Sequence, residues 1–178
     1  MATPRLVTVR DFNTSRFSQL ADTSTANVGD ILARAESAIE SKLQRPIAPT
    51  VFTETFRPQE DTIYLRKRPV ISIDAITRRF STYGPDIPIT NYYLDGTAGY
   101  VESQWFFGMI VSITYTAGFE QVPEDLKEAI LLQAALFAFQ DLEIYGSGDG
   151  KPPGVLYMKK DIDDILAPYR QINMAFTH

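Results

Sequence analysis

Cysteine is absent from this 178-residue sequence, and histidine occurs once, as the last residue, His178. Without cysteine there are no disulfides, thiolate ligands or thiol nucleophiles, which fits a reducing compartment or a particle assembled in one. A catalytic triad, a zinc site or a histidine acid–base mechanism would depend on a terminal side chain. The sequence argues against these mechanisms. A hydrolase that uses carboxylates such as Glu54 and Glu60 remains open.

A membrane segment and an excess of basic residues are also missing. The N-terminal stretch MATPRLVTVRDF does not resemble a signal peptide or an anchor, and we expect no membrane partner. The formal net charge is −5. Because phosphate contacts dominate nonspecific binding to nucleic acid, this charge does not favour a sequence-reading DNA binder, but it lets double-stranded DNA slide past without adhering.

Two segments with a superficial likeness to ligand sites lack the required pattern. In the glycine-rich stretch Gly146–Gly154, the Gly-Lys pair is followed by proline instead of Ser or Thr, so it is not a phosphate loop, and we interpret it as a flexible hinge. No calcium-loop pattern surrounds Asp161, Asp163 and Asp164, which we place in the first turns of a last helix. We therefore expect no metal and no cofactor.

The segment Pro123–Leu142, PEDLKEAILLQAALFAFQDL, organises the chain. Pro123 suits the first helical position, and the two acidic residues after it face the positive end of the helix dipole. From Ala129 to Phe139 the only polar side chain is Gln133, so most sides of this helix must be covered. The apolar run is well short of the about 20 residues that span a bilayer. We predict a central core helix.

Three further segments are predicted to surround that helix. An amphipathic helix, with Asn27 as its cap, carries one apolar stripe and ends before Pro46. Residues 1–26 form an N-terminal arm, either packed on the domain or ordered only against a partner. A short C-terminal helix is interrupted at Pro168, and the tail QINMAFTH has no obvious internal partner.

Residues 51–116 change to strand patterns, with about six short strands that are mostly antiparallel because their links are short. The segment VISIDAIT places Ile71, Ile73 and Ala75 on one face of a strand. The insertion Ser81–Thr90 is interpreted as a projecting loop.

These patterns predict an α+β fold, with a helical bundle around helix 123–142, an antiparallel β-structured insertion at 51–116 and a C-terminal helix. We predict an arm at 1–26, a single domain at 27–168 and a tail at 169–178.

Basic and aromatic clusters in the insertion are candidates for contact with another protein. The runs Arg66-Lys67-Arg68 and Arg78-Arg79 flank one predicted strand. Given the net charge, we interpret them as a solvated rim or a contact between subunits in preference to a nucleic-acid site. The cluster Trp105–Phe107 fits a core plug and an interface anchor equally.

Taken in order, these segments resemble the head–tail connector proteins of tailed bacteriophages, also called head-completion or neck adaptor proteins. The strongest piece is Ile113–Leu132, where a Tyr-Thr-Ala-Gly-Phe break leads through Val-Pro-Glu-Asp-Leu-Lys into the core helix. The strand start Arg68-Pro69-Val70 and the sequence Pro168-Tyr169-Arg170 agree with it. The resemblance covers residues 27–170 and consists of packing and turn motifs.

The resemblance implies a structural virion protein without enzymatic activity, made in the host bacterial cytoplasm and located in the neck. Family members form a ring beneath the portal protein, typically a dodecamer. The ring extends the channel through which double-stranded DNA passes without sequence recognition, and it joins the capsid to the next neck or tail-terminator protein. The alternatives are another tail-completion or interaction module and a small carboxylate-dependent hydrolase.

The resemblance also suggests contact residues. Because the C-terminal segment of family members commonly docks on the portal, the predicted portal contacts are Ile162, Ile165, Leu166, Tyr169, Arg170, Ile172, Met174 and Phe176. The predicted contacts with a neighbouring subunit or the next neck protein are Arg66, Lys67, Arg68, Arg78, Arg79, Tyr83, Trp105 and Phe106. No catalytic, metal-ligating or cofactor-binding residue is predicted.

Overall fold

The structure is a computed structural model that describes residues 6–17, 25–145 and 154–170. It divides into two compact units. Unit 1 comprises Met1–Gln44 and Val122–His178, and unit 2 comprises Arg45–Gln121. Within the described ranges, unit 1 holds the α-helices and unit 2 holds the strands, which confirms a mixed α+β fold. The domain bounds at residues 27 and 168 stay a prediction.

Unit 1 contains four described α-helices: α1 (Val9–Thr14), α2 (Thr25–Leu43), α3 (Glu124–Tyr145) and α4 (Gly154–Leu166). A 3-10 turn, Ala167–Tyr169, follows α4 and confirms the predicted interruption at Pro168. Helix α3 contacts both α2 and α4, and α1 contacts α2. The arrangement of these helices as a bundle stays a prediction. None of the described helices is both long and apolar enough to cross a membrane.

Helix α3 is buried as its composition predicts. The N–H of Lys127 donates to the carbonyl of Pro123 at 3.2 Å. Helix α3 begins at Glu124, so Pro123 immediately precedes the helix and does not take the predicted first helical position. Its buried residues occupy successive positions as well as positions three and four apart, which means that the helix is covered on most sides. They are Leu126, Ala129, Ile130, Leu132, Gln133, Ala134, Ala135, Leu136 and Ala138.

Helix α2 carries the predicted apolar stripe, whose buried members are Val28, Ile31, Leu32, Ala35, Ile39 and Leu43. It begins at Thr25, so the predicted cap Asn27 lies inside the helix. Several Ser, Thr and Asn residues that can cap a helix precede Val28, and the apolar period does not choose among them. At its end Gln44 adopts a left-handed φ of 57°, two residues before Pro46.

The described part of the N-terminal arm is packed on unit 1. The side chains of Val7, Phe12 and Phe17 are buried there. Thr8 and Asp11 form a reciprocal cap at the start of α1. The hydrogen bonds from the backbone and hydroxyl of Thr8 to the Asp11 carboxylate lower the pKa of that carboxyl. This arm therefore has internal partners of its own.

Unit 2 contains seven described strands: β1 (Thr50–Phe56), β2 (Thr62–Tyr64), β3 (Val70–Arg79), β4 (Ile87–Pro88), β5 (Tyr93–Asp95), β6 (Tyr100–Glu102) and β7 (Ile110–Ala117). They form a four-stranded sheet in the order β1-β7-β3-β4 and a three-stranded sheet in the order β2-β6-β5. Every pair is antiparallel, as predicted. One apolar cluster, which includes Ile63, Val101, Val111 and Ile113, joins residues of both sheets.

The predicted alternation in β3 is wrong. Its pairing with β7 shifts register twice, once after Val70 and once after Ile73. A β-bulge adds one residue to a strand, and side chains beyond it change faces. As a result Val70 and Ile76 are buried, whereas Ile71 and Ala75 are exposed.

The segment Ser81–Thr90 is only partly the projecting loop that was predicted. Strand β4 lies within it and pairs with the second half of β3. The N–H of Ile89 donates to the carbonyl of Ile76 at 2.9 Å, and Ile89 is buried. Only the turn before β4 projects, and there Tyr83 is 99% exposed.

Helix α4 begins earlier than predicted, at Gly154. Consequently Asp161, Asp163 and Asp164 lie in its second half and not in its first turns. Residues 146–153 and 171–178 lie outside the described residues, so the hinge and the apolar tail stay predictions.

Candidate protein interface

The predicted contact residues of unit 2 lie at opposite ends of β3. Residues 66–68 precede the strand, whereas Arg78 and Arg79 are its last two residues. A ten-residue strand, at roughly 3.3 Å per residue, separates the two groups by about 30 Å. At the first end, the guanidinium of Arg68 donates to the carbonyl of Ala98 at 3.0 Å. The basic residues thus form two separate surfaces.

Tyr115 anchors the segment that carries the first group. Its hydroxyl donates to Glu54 at 3.0 Å and accepts the N–H of Lys67 at 3.2 Å. The N–H of Arg66 donates to the same carboxylate at 3.3 Å. Burial, together with the neighbouring Glu54 charge, raises the pKa of the Tyr115 hydroxyl. These bonds fix the backbone from which the Arg66 and Lys67 side chains extend.

We expect Tyr115→Phe to lower the free energy of unfolding by about 1–2 kcal/mol, because the Lys67 N–H and the Glu54 carboxylate lose their shared partner. Urea unfolding measures this change. The control is Tyr83→Phe, since Tyr83 is 99% exposed and its hydroxyl is solvated. Equal stability of the two variants would show that the Tyr115 hydroxyl contributes nothing.

At the other end of β3, Arg78 stacks on an aromatic ring. Its guanidinium carbon lies 4.5 Å from the centre of the Trp105 ring. The Arg78 Nε is buried and has no hydrogen-bond partner within the described ranges. Trp105 is 44% exposed and Phe107 63% exposed, whereas Phe106 is completely buried. The aromatic cluster therefore combines a core plug, Phe106, with two exposed rings.

An open cleft of about 400 Å³ lies at this end of the sheet, lined by residues 57–59, 80–82 and 108–110. Phe80 at its edge is 71% exposed. In the part of the chain that the structure describes, neither Arg57 nor Arg79 forms an ion pair.

Arg78 and Arg79 are successive strand residues, so their side chains lie on opposite faces of the sheet. Arg78 is paired with buried Val111 and lies on the core side with Trp105, whereas Arg79 is paired with Ile110 in the wall of the cleft. We call the following residues the arginine–aromatic surface: Arg57, Arg79, Phe80 and Tyr83.

A second exposed surface escaped the sequence analysis. On one face of the three-stranded sheet, the ring of Tyr100 lies 5.8 Å from that of Tyr64 and 6.2 Å from that of Tyr93. Tyr64 is 49% and Tyr93 58% exposed. Each tyrosine lies next to an apolar residue that faces the core. Period-two alternation in these short strands was therefore the sequence signal that could have indicated this exposed tyrosine surface.

The predicted portal contacts in α4 differ in accessibility. Ile162 and Leu166 are fully buried in unit 1, and Ile165 is half-buried. Contact of Ile162 or Leu166 with another protein requires α4 to leave its present position. The predicted contacts Ile172, Met174 and Phe176 lie outside the described residues.

Tyr169 and Arg170 connect the end of α4 to the rest of unit 1. The Tyr169 hydroxyl donates to Asp125 in the first turn of α3 at 2.6 Å. The Arg170 guanidinium donates to Asp163 at 2.8 Å. Both residues remain partly accessible, so a partner can reach them without displacing α4.

The sequence matches the model of the head completion protein family over residues 5–172, and the chain belongs to that family. This match confirms the resemblance inferred from the sequence motifs. No curated protein matches the sequence. Membership makes the chain a structural protein of the virion and not an enzyme, as predicted.

Three solved structures have chains with a similar fold. "Neck of empty GTA particle computed with C6 symmetry" contains a chain that is 20% identical, with a TM-score of 0.65 and coverage of 97% of this chain and 93% of that one. A chain of "Virion of native gene transfer agent (GTA) particle" is 20% identical, with a TM-score of 0.58 and coverage of 97% and 96%. "Neck of native GTA particle computed with C12 symmetry" contains a chain at 21% identity, with a TM-score of 0.57 and the same coverage.

Proposed function

We propose that this protein is a head–tail adaptor of the virion neck. It forms a ring beneath the portal, extends the DNA channel and joins the capsid to the next neck or tail-terminator protein. The observation that carries the proposal is the family match along residues 5–172. The similar fold of neck chains, shared over 97% of this chain, supports it.

A ring of twelve copies is the stoichiometry that we propose. One of the similar necks was computed with C12 symmetry, and another with C6 symmetry, which is a subgroup of C12. A closed cyclic ring uses two different surfaces of each copy, one facing each neighbour. Further surfaces must remain for the portal above and the next protein below. Separate exposed surfaces in units 1 and 2 meet this requirement.

Double-stranded DNA is proposed to pass through the ring without sequence recognition. The net charge of −5 gives the protein no overall attraction for phosphate. Of the predicted basic contacts, Arg68 bonds a backbone carbonyl and Arg78 stacks on Trp105. These arginines are thereby held against the protein and not extended towards a duplex.

The experiment that tests the proposal is electron cryomicroscopy of the full chain mixed with its cognate portal protein. We expect a ring stacked beneath the portal, with the C-terminal segment against it. Absence of a ring at saturating protein would contradict the portal-adaptor function and favour another interaction module of the virion.

Deletion of Tyr169–His178 is expected to abolish portal docking while leaving the protein folded, because the deleted segment carries five of the eight predicted portal contacts. This deletion also removes the internal bonds of Tyr169 and Arg170. A second deletion, of residues 171–178, keeps those bonds but removes Ile172, Met174 and Phe176. It is also expected to weaken docking, and it separates the loss of these contacts from the loss of the internal bonds. Circular dichroism checks folding, and cosedimentation with the portal measures docking. Normal docking of the longer deletion would show that the C-terminal segment is not the anchor.

A further inference from the structure

The arginine–aromatic surface has the composition of a protein interface. Arg, Trp, Tyr and Phe are enriched at interface centres, and lysine is depleted there. This surface combines two arginines with two aromatic residues, and Tyr83 and Phe80 are 99% and 71% exposed. The arginines can still bind a carboxylate, because Arg57 and Arg79 have no ion-pair partner among the described residues.

The occupant must therefore present carboxylates next to an apolar or aromatic side chain. Helix α4 has such a face. Tyr157, Asp161 and Asp164 occupy positions i, i+4 and i+7, which share one side of a helix. All three are exposed, and Tyr157 is 70% exposed. Neither aspartate forms an ion pair in the described part of the chain, whereas Asp163 is bonded to Arg170.

We infer that the arginine–aromatic surface of one copy docks on the Tyr157–Asp161–Asp164 face of α4 in the next copy. This inference rests on the ring proposed above. The two surfaces are different parts of one chain, so their contact is head-to-tail, as ring closure requires. Arginine and carboxylate form bidentate hydrogen bonds, and the exposed rings exclude water from them.

Double-stranded DNA is a poorer occupant of the same surface. A duplex presents phosphates but no apolar side chain, so it would leave the exposed rings of Phe80 and Tyr83 uncovered. Arg78, on the opposite face of the sheet, is stacked on Trp105, and its buried Nε faces protein instead of solvent.

The test is a charge exchange between the two surfaces, measured as ring occupancy on the portal against protein concentration. We expect Arg79→Asp and Asp164→Arg each to raise the half-saturating concentration by about tenfold or more. The double variant carries both exchanged charges in every copy. It is expected to recover to within about threefold of the unmodified chain, because each interface again pairs opposite charges.

Two control variants change charges elsewhere. Arg10→Asp changes an exposed residue of α1, and Asp30→Arg changes an exposed residue of α2. Both are expected to assemble like the unmodified chain. If the double variant assembles no better than the single variants while the controls assemble normally, the proposed docking contact is wrong. The proposed ring itself is not contradicted by that result. If Arg79→Asp assembles normally but loses a salt-sensitive binding to double-stranded DNA, the surface binds DNA and not the next copy.

The absence of cysteine allows a second measurement that does not depend on the portal. Two single-cysteine variants, Thr82→Cys and Asp161→Cys, are mixed at high concentration under oxidising conditions. We expect disulfide-linked heterodimers, and fewer when Asp30→Cys replaces Asp161→Cys. If the chain forms no ring on the portal but yields these heterodimers, the proposed function fails and the contact stands. Equal cross-linking at positions 161 and 30 would overturn the contact.

Discussion

Replacing Gly118 with alanine is expected to lower the free energy of unfolding by about 3–4 kcal/mol and the Tm by about 10 °C. Gly118 has a φ of 129°, which side chains with a Cβ rarely adopt. A Cβ there would lie 2.5 Å from the carbonyl oxygen of Ala48 and 2.7 Å from its carbonyl carbon. Both atoms belong to the backbone, so no rotamer change relieves the clash.

The clash would also disturb neighbouring hydrogen bonds. The N–H of Gly118 donates to the carbonyl of Pro69 at 2.9 Å, and the N–H of Phe119 donates to the carbonyl of Ile47 at 2.9 Å. These bonds join the end of β7 to the segments that precede β1 and β3. Displacing Ala48 therefore strains the point where three segments of unit 2 meet.

Gly108→Ala is the matched control for this prediction. Gly108 also has a positive φ, 70°, but a Cβ there meets no atom within 4 Å. Its cost is expected to be about 1–2 kcal/mol, from backbone strain alone. Thermal unfolding followed by circular dichroism measures both variants. Equal losses would show that the contact with Ala48 is not what requires glycine at position 118.

Gly118 also shows which features of this fold could be predicted from the sequence and which could not. The Tyr-Thr-Ala-Gly-Phe break was recognised as part of the resemblance, but its cause, the close approach of Ala48, depends on residues 70 positions away in sequence. Helix α3 was predicted almost completely, since composition and local capping determine it. The faces of β3 were not, because its two bulges depend on the register with β7.

The candidate interface was predictable as a set of residues but not as a set of surfaces. Charge and aromatic character selected Arg78 and Trp105, yet only the fold brings their side chains within 4.5 Å of each other. The same criteria grouped Arg66 with Arg78, although a whole strand separates them. Phe106 was selected for its cluster, and its burial follows from packing that sequence does not specify. Local patterns identify chemistry, whereas tertiary contacts decide which side chains share a surface.

The second large effect is expected in unit 1, where Ile130→Ala should lower the free energy of unfolding by about 2–5 kcal/mol. Ile130 is completely buried in α3. Truncation removes three methyl or methylene groups and leaves a cavity. The surrounding helices can collapse into it only in part, because α3 contacts both α2 and α4. Leu131→Ala is the control: this neighbouring aliphatic residue is half-buried, and its truncation is expected to cost less than half as much.

Urea unfolding measures the free energy of unfolding of both variants. Amide hydrogen exchange shows which helices lose stability. Because α4 packs on α3, we expect the amides of α4 to exchange faster in Ile130→Ala than in Leu131→Ala. A looser α4 holds Tyr157, Asp161 and Asp164 less firmly, so the core substitution should also weaken ring assembly without touching any predicted contact residue. Unchanged α4 exchange in a destabilised Ile130→Ala variant would mean that α3 does not support α4. The α4 docking face would then have to be positioned by something other than the central helix.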